Sequence, residues 1–131
     1  MNTSTQHSAF SLVEVLAAVT IIGIITFLAI PNIVQIKQDG EDNLARARAE
    51  TLNMAIASYV QAVGGAAAQT SWPSPPTPGG CYTVISPYVA FAEPSIAAFM
   101  PAGYGTTNWP TSVSPPNSRV RAISPAGDIL P

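Results

Sequence analysis

The chain is short of almost everything from which an ordinary enzyme builds a site. Among 131 residues it has one cysteine, Cys81, and one histidine, His7. A lone cysteine closes no intramolecular disulfide, and together the two supply too few ligands for a tetrahedral zinc site. The single imidazole also excludes a hydrolytic triad, because His7 stands in a polar leader directly before a membrane-length apolar run, where no folded cleft holds it. Charge is scarce as well. Charged residues make up 9% of the chain, against roughly 25% in a typical soluble domain. Five Lys and Arg residues neutralise too few phosphates for affinity to rest on counterion release, so nucleic-acid binding is not expected. After Gly65 the only side-chain carboxylates are Glu93 and Asp128, short of the about six to eight oxygens that calcium takes. No metal, no cofactor and no enzymatic activity are expected.

What the chain has instead is apolar surface, 47% hydrophobic residues with a mean hydropathy of +0.29, distributed unevenly. Eight of the twelve charged residues fall in residues 1–63, whereas twelve of the thirteen prolines and seven of the nine glycines fall in 64–131. The first half is material for a continuous helix. The second must be loops and short strands.

The run Phe10 to Ile30, FSLVEVLAAVTIIGIITFLAI, is 21 residues broken by one charge, Glu14. As a helix it rises about 31 Å, matching a hydrocarbon core of roughly 30 Å. It is too long for the apolar region of a secretory signal, and Leu28-Ala29-Ile30-Pro31 offers no small-x-small cleavage site. From Asn32 to Val63 the pattern turns amphipathic. Ala45, Leu52, Ile56, Tyr59 and Val63 fall on one stripe, and Asp42, Arg46 and Glu50 lie four apart on another face that is expected to meet water. Gly64-Gly65 supplies a stop, and the prolines at 73, 75, 76 and 78 prevent extension. Joined, the two pieces make a helix of 54 residues and about 80 Å, with Pro31 expected to kink it where the apolar segment ends.

In the second half, Cys81 to Ile85 and Val120 to Ile123 have β propensity. Ser124-Pro125-Ala126-Gly127 suits a type I turn, predicting a terminal hairpin in which Asp128 to Leu130 returns beside Val120 to Ile123. Arg119 and Arg121, two apart, share one strand face, where they are expected to be solvated, the alternative being a salt bridge to a neighbouring subunit. Trp72, Trp109, Tyr82, Tyr88, Phe91, Phe99 and Tyr104 are expected to pack between the loops and the helix. The fold class is therefore α+β: a long N-terminal helix against a small, loop-rich antiparallel sheet. The organisation is a leader at 1–9, a membrane and assembly helix at 10–31, an amphipathic helix at 32–63 and a loop-rich head at 64–131.

Read together, Ala9-Phe10-Ser11-Leu12-Val13-Glu14 form a small residue, Phe, three residues and a carboxylate at the start of an apolar run. This resembles the processing and methylation signal of type IV pilins and type II secretion pseudopilins, over about 22 residues. The resemblance implies a pilin-like fold. It implies cleavage between Ala9 and Phe10 by a prepilin peptidase, N-methylation of Phe10, and assembly through the Phe10 amine of one subunit and Glu14 of a neighbour. Gly23 and Pro31 match the places where the family has a helix-weakening glycine and a proline, and are expected to confer helix flexibility in a filament.

A carboxylate inside a membrane helix costs on the order of 2.5 to 3.5 kcal/mol. An unpaired Glu14 therefore needs a cation, and cleavage creates one at Phe10. The implied partners are the peptidase, identical or homologous pilin-like subunits and an inner-membrane assembly platform. The implied location is the bacterial inner membrane, with a cytoplasmic N-terminus and a periplasmic head that later enters a pseudopilus or pilus. Counting Lys and Arg alone would put the C-terminal side in the cytoplasm, since Lys37, Arg46 and Arg48 follow the span and the leader has none; the motif is the more specific signal. The expected function is a structural subunit of a type II secretion pseudopilus. The alternatives are a type IV pilin or competence-type pseudopilin and, from another class, a membrane-anchored binding module.

Overall fold

A computed structural model describes residues 10–131. They form two compact units, one ending at Gln38 and one covering Asp39–Pro131. Helix α1, Leu12–Val63, supplies nearly all of the first and the spine of the second. The fold is α+β with a pilin-like layout.

In the first unit α1 is helical without interruption and contains Pro31 in its interior. Its large apolar side chains, from Leu12 through Ile36, are exposed. Thr20 and Thr26 donate their hydroxyls back to the carbonyls of Leu16 and Ile22, each at 2.8 Å, so neither leaves a polar group unpaired on the apolar surface.

In the second unit α1 buries Ala45, Ala49, Leu52, Ala55, Ile56 and Tyr59. The expected stripe holds up to Tyr59. Val63, in the last turn, is 40% exposed. The alanines matter because their small side chains let the head's loops approach the helix closely. At Gly64, φ is +90°, a conformation that favours glycine, and this ends α1. A short helix α2, Gly65–Ser71, follows, so the chain re-enters helix after the stop instead of going directly into loop. At Gly65 a Cβ would sit 2.2 Å from Ser114 Oγ, so this position accepts no larger side chain without movement.

The expected strand at Cys81–Ile85 is a helix. Helix α3 spans Pro78–Ile85, with Thr77 as its N-cap accepting from Gly80 N at 3.2 Å and Pro78 in the first turn. The cap and the proline together override the β propensity of the residues that follow. Helical spacing then buries Cys81, Tyr82 and Ile85 and leaves Thr83 exposed, which alternation would not do. A single 3-10 turn, Ser86–Tyr88, and helix α4, Ile96–Phe99, complete the helical part; Ser95 caps α4 through Ala98 N at 3.2 Å.

The sheet has two strands, β1 (Gly105–Thr107) and β2 (Arg121–Ile123), antiparallel with Thr106 opposite Ala122. The expected hairpin is present in reduced form. Ser124 O accepts from Gly127 N at 2.9 Å and Ala122 O accepts from Leu130 N at 2.9 Å, with one isolated bridge between Ile123 and Ile129. The ladder partner of β2 is β1, which the terminal hairpin did not anticipate.

The core lies between α1, α3, the loops and β2. Leu52 and Ile85 are fully buried within it, each contributing about 1.5 to 3 kcal/mol of hydrophobic burial. Six of the seven head aromatics pack as expected. Tyr59 of α1 meets Trp72 and Tyr88 at ring distances of 6.2 and 5.7 Å, and Tyr82 meets Phe99 at 5.7 Å. The indole of Trp72 donates to Pro110 O at 2.7 Å, and that of Trp109 to Thr106 Oγ1 at 3.0 Å. Phe91 is the exception, at 96% exposed.

Candidate functional site

The N-terminal motif is built by the first turn of α1. Ser11 is its N-cap: its hydroxyl oxygen accepts from Val13 N at 3.3 Å, and its carbonyl accepts from Val15 N at 3.2 Å. Glu14, three residues on, reaches back so that Oε2 accepts from Ser11 N at 2.9 Å. These two reciprocal bonds are a capping box, and they satisfy donors that a helix start would otherwise leave orphaned. The carboxylate also stands at the positive end of the helix dipole. Glu14 therefore has a partner within its own chain. Its second oxygen, Oε1, accepts no hydrogen bond among the described residues. The signature Ser-x-x-Glu before an apolar run is readable in the sequence, where the family motif drew attention to Glu14 and left Ser11 aside.

Phe10 is 87% exposed, one residue before that cap. Ala9, the other side of the expected cut, lies outside the described residues. Gly23 and Pro31 both lie inside α1, and a Cβ added at Gly23 meets nothing within 4 Å. Gly23 is thus not required by packing against any other part of the described chain. Pro31 has no N–H to donate to Phe27 O, so one bond of the helical ladder is missing there.

The head is tied to α1 by polar side chains that the sequence placed on a solvated face. Asp42 accepts the phenol of Tyr104 at 2.6 Å, and Glu50 forms an ion pair with Arg119 at 2.6 Å. The expected solvated face is therefore partly covered, and Arg119 is paired within its own chain; Arg121 donates Nε to Leu130 O at 3.3 Å. The bond to Asp42, then burial, then the negative charges of Asp42 and Glu41 push the Tyr104 phenol up to about 12. Asn53 was not anticipated. Its amide accepts from Val120 N at 2.9 Å and donates to Val120 O at 3.1 Å, taking the place of a neighbouring strand at the entry to β2. Arg48 donates to Phe99 O and stands over the Phe99 ring, 5.5 Å from its centroid. Every buried side-chain nitrogen and oxygen among the described residues has a partner.

Among the described residues no three His, Cys, Asp or Glu side chains group in a way that would hold a metal ion. Comparison with protein-family models, with curated proteins and with solved structures finds no match. The chain has one helix long and apolar enough to cross a membrane among the described residues, and none of its span is buried within the protein.

Proposed function

We propose that this chain is a membrane-anchored filament subunit, a pseudopilin of a type II secretion system. One observation carries the reading: a prepilin-type motif leads into the first turn of α1, whose large apolar side chains from Leu12 to Ile36 are covered by nothing among the described residues. Such a helix needs lipid or other helices around it. In the bilayer its backbone is satisfied internally, and in a filament its side chains pack on those of neighbouring copies.

In this reading the uncleaved chain carries the Phe10 nitrogen as an amide, which is no cation. Hydrolysis of the Ala9–Phe10 bond by the peptidase releases residues 1–9 as a carboxylic acid and leaves a protonated amine on Phe10. Methylation then adds one methyl group to that nitrogen without removing its positive charge. The amine pairs with Glu14 of a neighbouring subunit, whose Oε2 keeps its own helix capped while Oε1 accepts. Cleavage thereby switches assembly on. The head faces the periplasm before it enters the filament.

Intact-protein mass spectrometry of the chain, co-expressed with and without a prepilin peptidase, tests this directly. The expected result is loss of residues 1–9 and gain of one methyl, only when the peptidase is present; it would also fix the N-terminus on the cytoplasmic side. A second reading, a membrane-anchored binding module, is favoured by the capping box, which gives Glu14 a purpose without any neighbour. Persistence of the full-length mass would select it.

A further inference from the structure

Asp42, Arg46 and Glu50 stand four apart on α1, the spacing at which an arginine meets a carboxylate one turn to either side. The fold commits both carboxylates elsewhere. Asp42 accepts the Tyr104 phenol, and both oxygens of Glu50 accept from one terminal nitrogen of Arg119, at 2.6 and 2.7 Å. Arg46 is left exposed, with no hydrogen bond or ion pair among the described residues.

Arg46 does not stand alone. It lines a pocket of about 300 Å³ on the head together with Arg119 and Arg121, so three of the five Lys and Arg residues of a chain with net charge -2 gather at one place. Two of the three are already held in position. Arg121 is tied through Nε to Leu130 O at 3.3 Å, which leaves both of its terminal nitrogens unbonded. Arg119 is tied through one terminal nitrogen, which leaves the other and Nε. The Arg119–Glu50 pair is neutral, so Arg46 and Arg121 give the pocket two positive charges that no side chain lining it balances. Pro131 also lines it and forms no ion pair with any of the three among the described residues.

We propose that this pocket binds a terminal phosphate monoester, carried by a soluble molecule or by a lipid headgroup. Such a group has a charge of about -1.5 to -2 at neutral pH and three acceptor oxygens, one for each guanidinium. A carboxylate has one charge and two oxygens, which leaves a guanidinium unmatched. The planar fork of arginine suits a phosphate in particular, since it takes two oxygens by parallel bonds. The proposal does not rest on the assembly reading, because every residue of the pocket belongs to the head of a single copy.

The test uses the full, uncleaved chain in alkyl maltoside micelles, which carry no phosphate, with isotope-labelled arginine nitrogens. Four arginines give four Nε–H signals, and Arg48, which donates to Phe99 O and is not part of the pocket, serves as the internal control. Titration with glycerol phosphate at constant ionic strength should move the Arg46, Arg119 and Arg121 signals along one saturating curve in the millimolar range and leave Arg48 in place. Arg46→Gln touches neither the Arg119–Glu50 pair nor the Arg121–Leu130 bond. It should weaken binding about ten-fold, as expected for losing a charged hydrogen-bonding group, with thermal unfolding in the absence of phosphate unchanged. Phosphatidic acid added to the micelles separates the two sources: saturation at a lower concentration than glycerol phosphate assigns a lipid headgroup, and equal saturation assigns a soluble phosphate. Shifts that grow linearly, that include Arg48 equally, or that acetate reproduces at the same concentrations overturn the proposal. So does saturation by an acidic peptide and not by phosphate, which would make this surface a protein contact. Binding that appears only when the chain is extended past Pro131 would mean that a carboxylate there fills the pocket first, and overturns it too.

Discussion

Residues on either side of Gln38 belong to one helix yet live in opposite surroundings. Before it, Ile21, Ile22, Ile24 and Ile25 are all more than half exposed; after it, Leu52 is at 0% and Ile56 at 4%. The sequence of the first part is the more apolar, so exposure there is not a matter of composition. It follows from the absence of anything among the described residues to cover it. The head, by contrast, closes its own core and pairs every buried polar side-chain atom. Changes in the first part should therefore act on insertion and assembly, and changes in the second on folding.

The largest effect expected from this division is at Glu14, where capping and charge are separable. Glu14→Gln keeps the side-chain oxygen and with it the capping box, which Gln supports as Glu does, but removes the charge. Incorporation into filaments, measured by shearing and immunoblotting in cells that carry the peptidase, should be lost, while membrane insertion and helicity stay as in the wild type. Glu14→Ala should lose incorporation and about 1 kcal/mol of capping as well. If Glu14→Gln assembles normally, the carboxylate is a cap and nothing more.

Next in size is a paired truncation that tests the boundary itself. Leu52→Ala should destabilise the head by about 2 to 5 kcal/mol through the cavity it leaves. Ile25→Ala, equally apolar and similarly helical, should leave the head's thermal unfolding in detergent micelles unchanged. Equal losses from both would break the comparison.

The helical half was legible because its signals are local and periodic. The apolar run, the Ala45–Leu52–Ile56–Tyr59 stripe and the Gly64 stop all act within a turn or two of the residues that show them. The second half was less so, because its elements depend on caps and distant partners. Cys81 to Ile85 have strand propensity, and only Thr77 and Pro78 upstream reveal a helix start. Gly105–Thr107 carries little strand signal of its own, and it becomes β1 because β2 lies beside it. Asn53 looks like any solvated helix residue until Val120, 67 positions away, arrives at its amide. At the candidate site the motif disclosed Phe10 and Glu14, while the Ser11 cap was readable but masked by the stronger resemblance. Phe91 could be told from the core aromatics only once its exposure was seen.

Asn53 offers a smaller but sharper test of how the head is attached. Asn53→Ala leaves both Val120 N–H and C=O without a partner, and should cost about 1 to 3 kcal/mol in chemical denaturation. Asn53→Asp keeps the acceptor and loses the donor, so it should fall between the two. No such loss is expected from Thr26→Ala in the first unit, whose hydroxyl bonds only its own helix.

Alkaline pH distinguishes the two units further, since Tyr104 belongs to the head. A phenol raised from its ordinary 10 to about 12 in the folded state favours the protonated form there. Its contribution is fully present below pH 10 and is lost as pH rises towards 12. Tyr104→Phe should remove that portion of the pH dependence of head unfolding between pH 10 and 12. A wild-type and a variant profile that fall in parallel through this range would show that the Asp42 bond does not hold the phenol.

The smallest effect should come from the most conspicuous ion pair. Arg119 and Glu50 meet at 2.6 Å, but their side chains are 70% and 51% exposed, and pairs of this kind contribute about 0 to 1 kcal/mol and weaken with salt. Arg119→Ala should therefore move head stability by no more than that, and the small difference should vanish in high salt. A loss well above 1 kcal/mol would instead mean that the head needs this pair to stay closed on α1, and that its self-sufficiency, the second half of the comparison, is narrower than its buried core suggests.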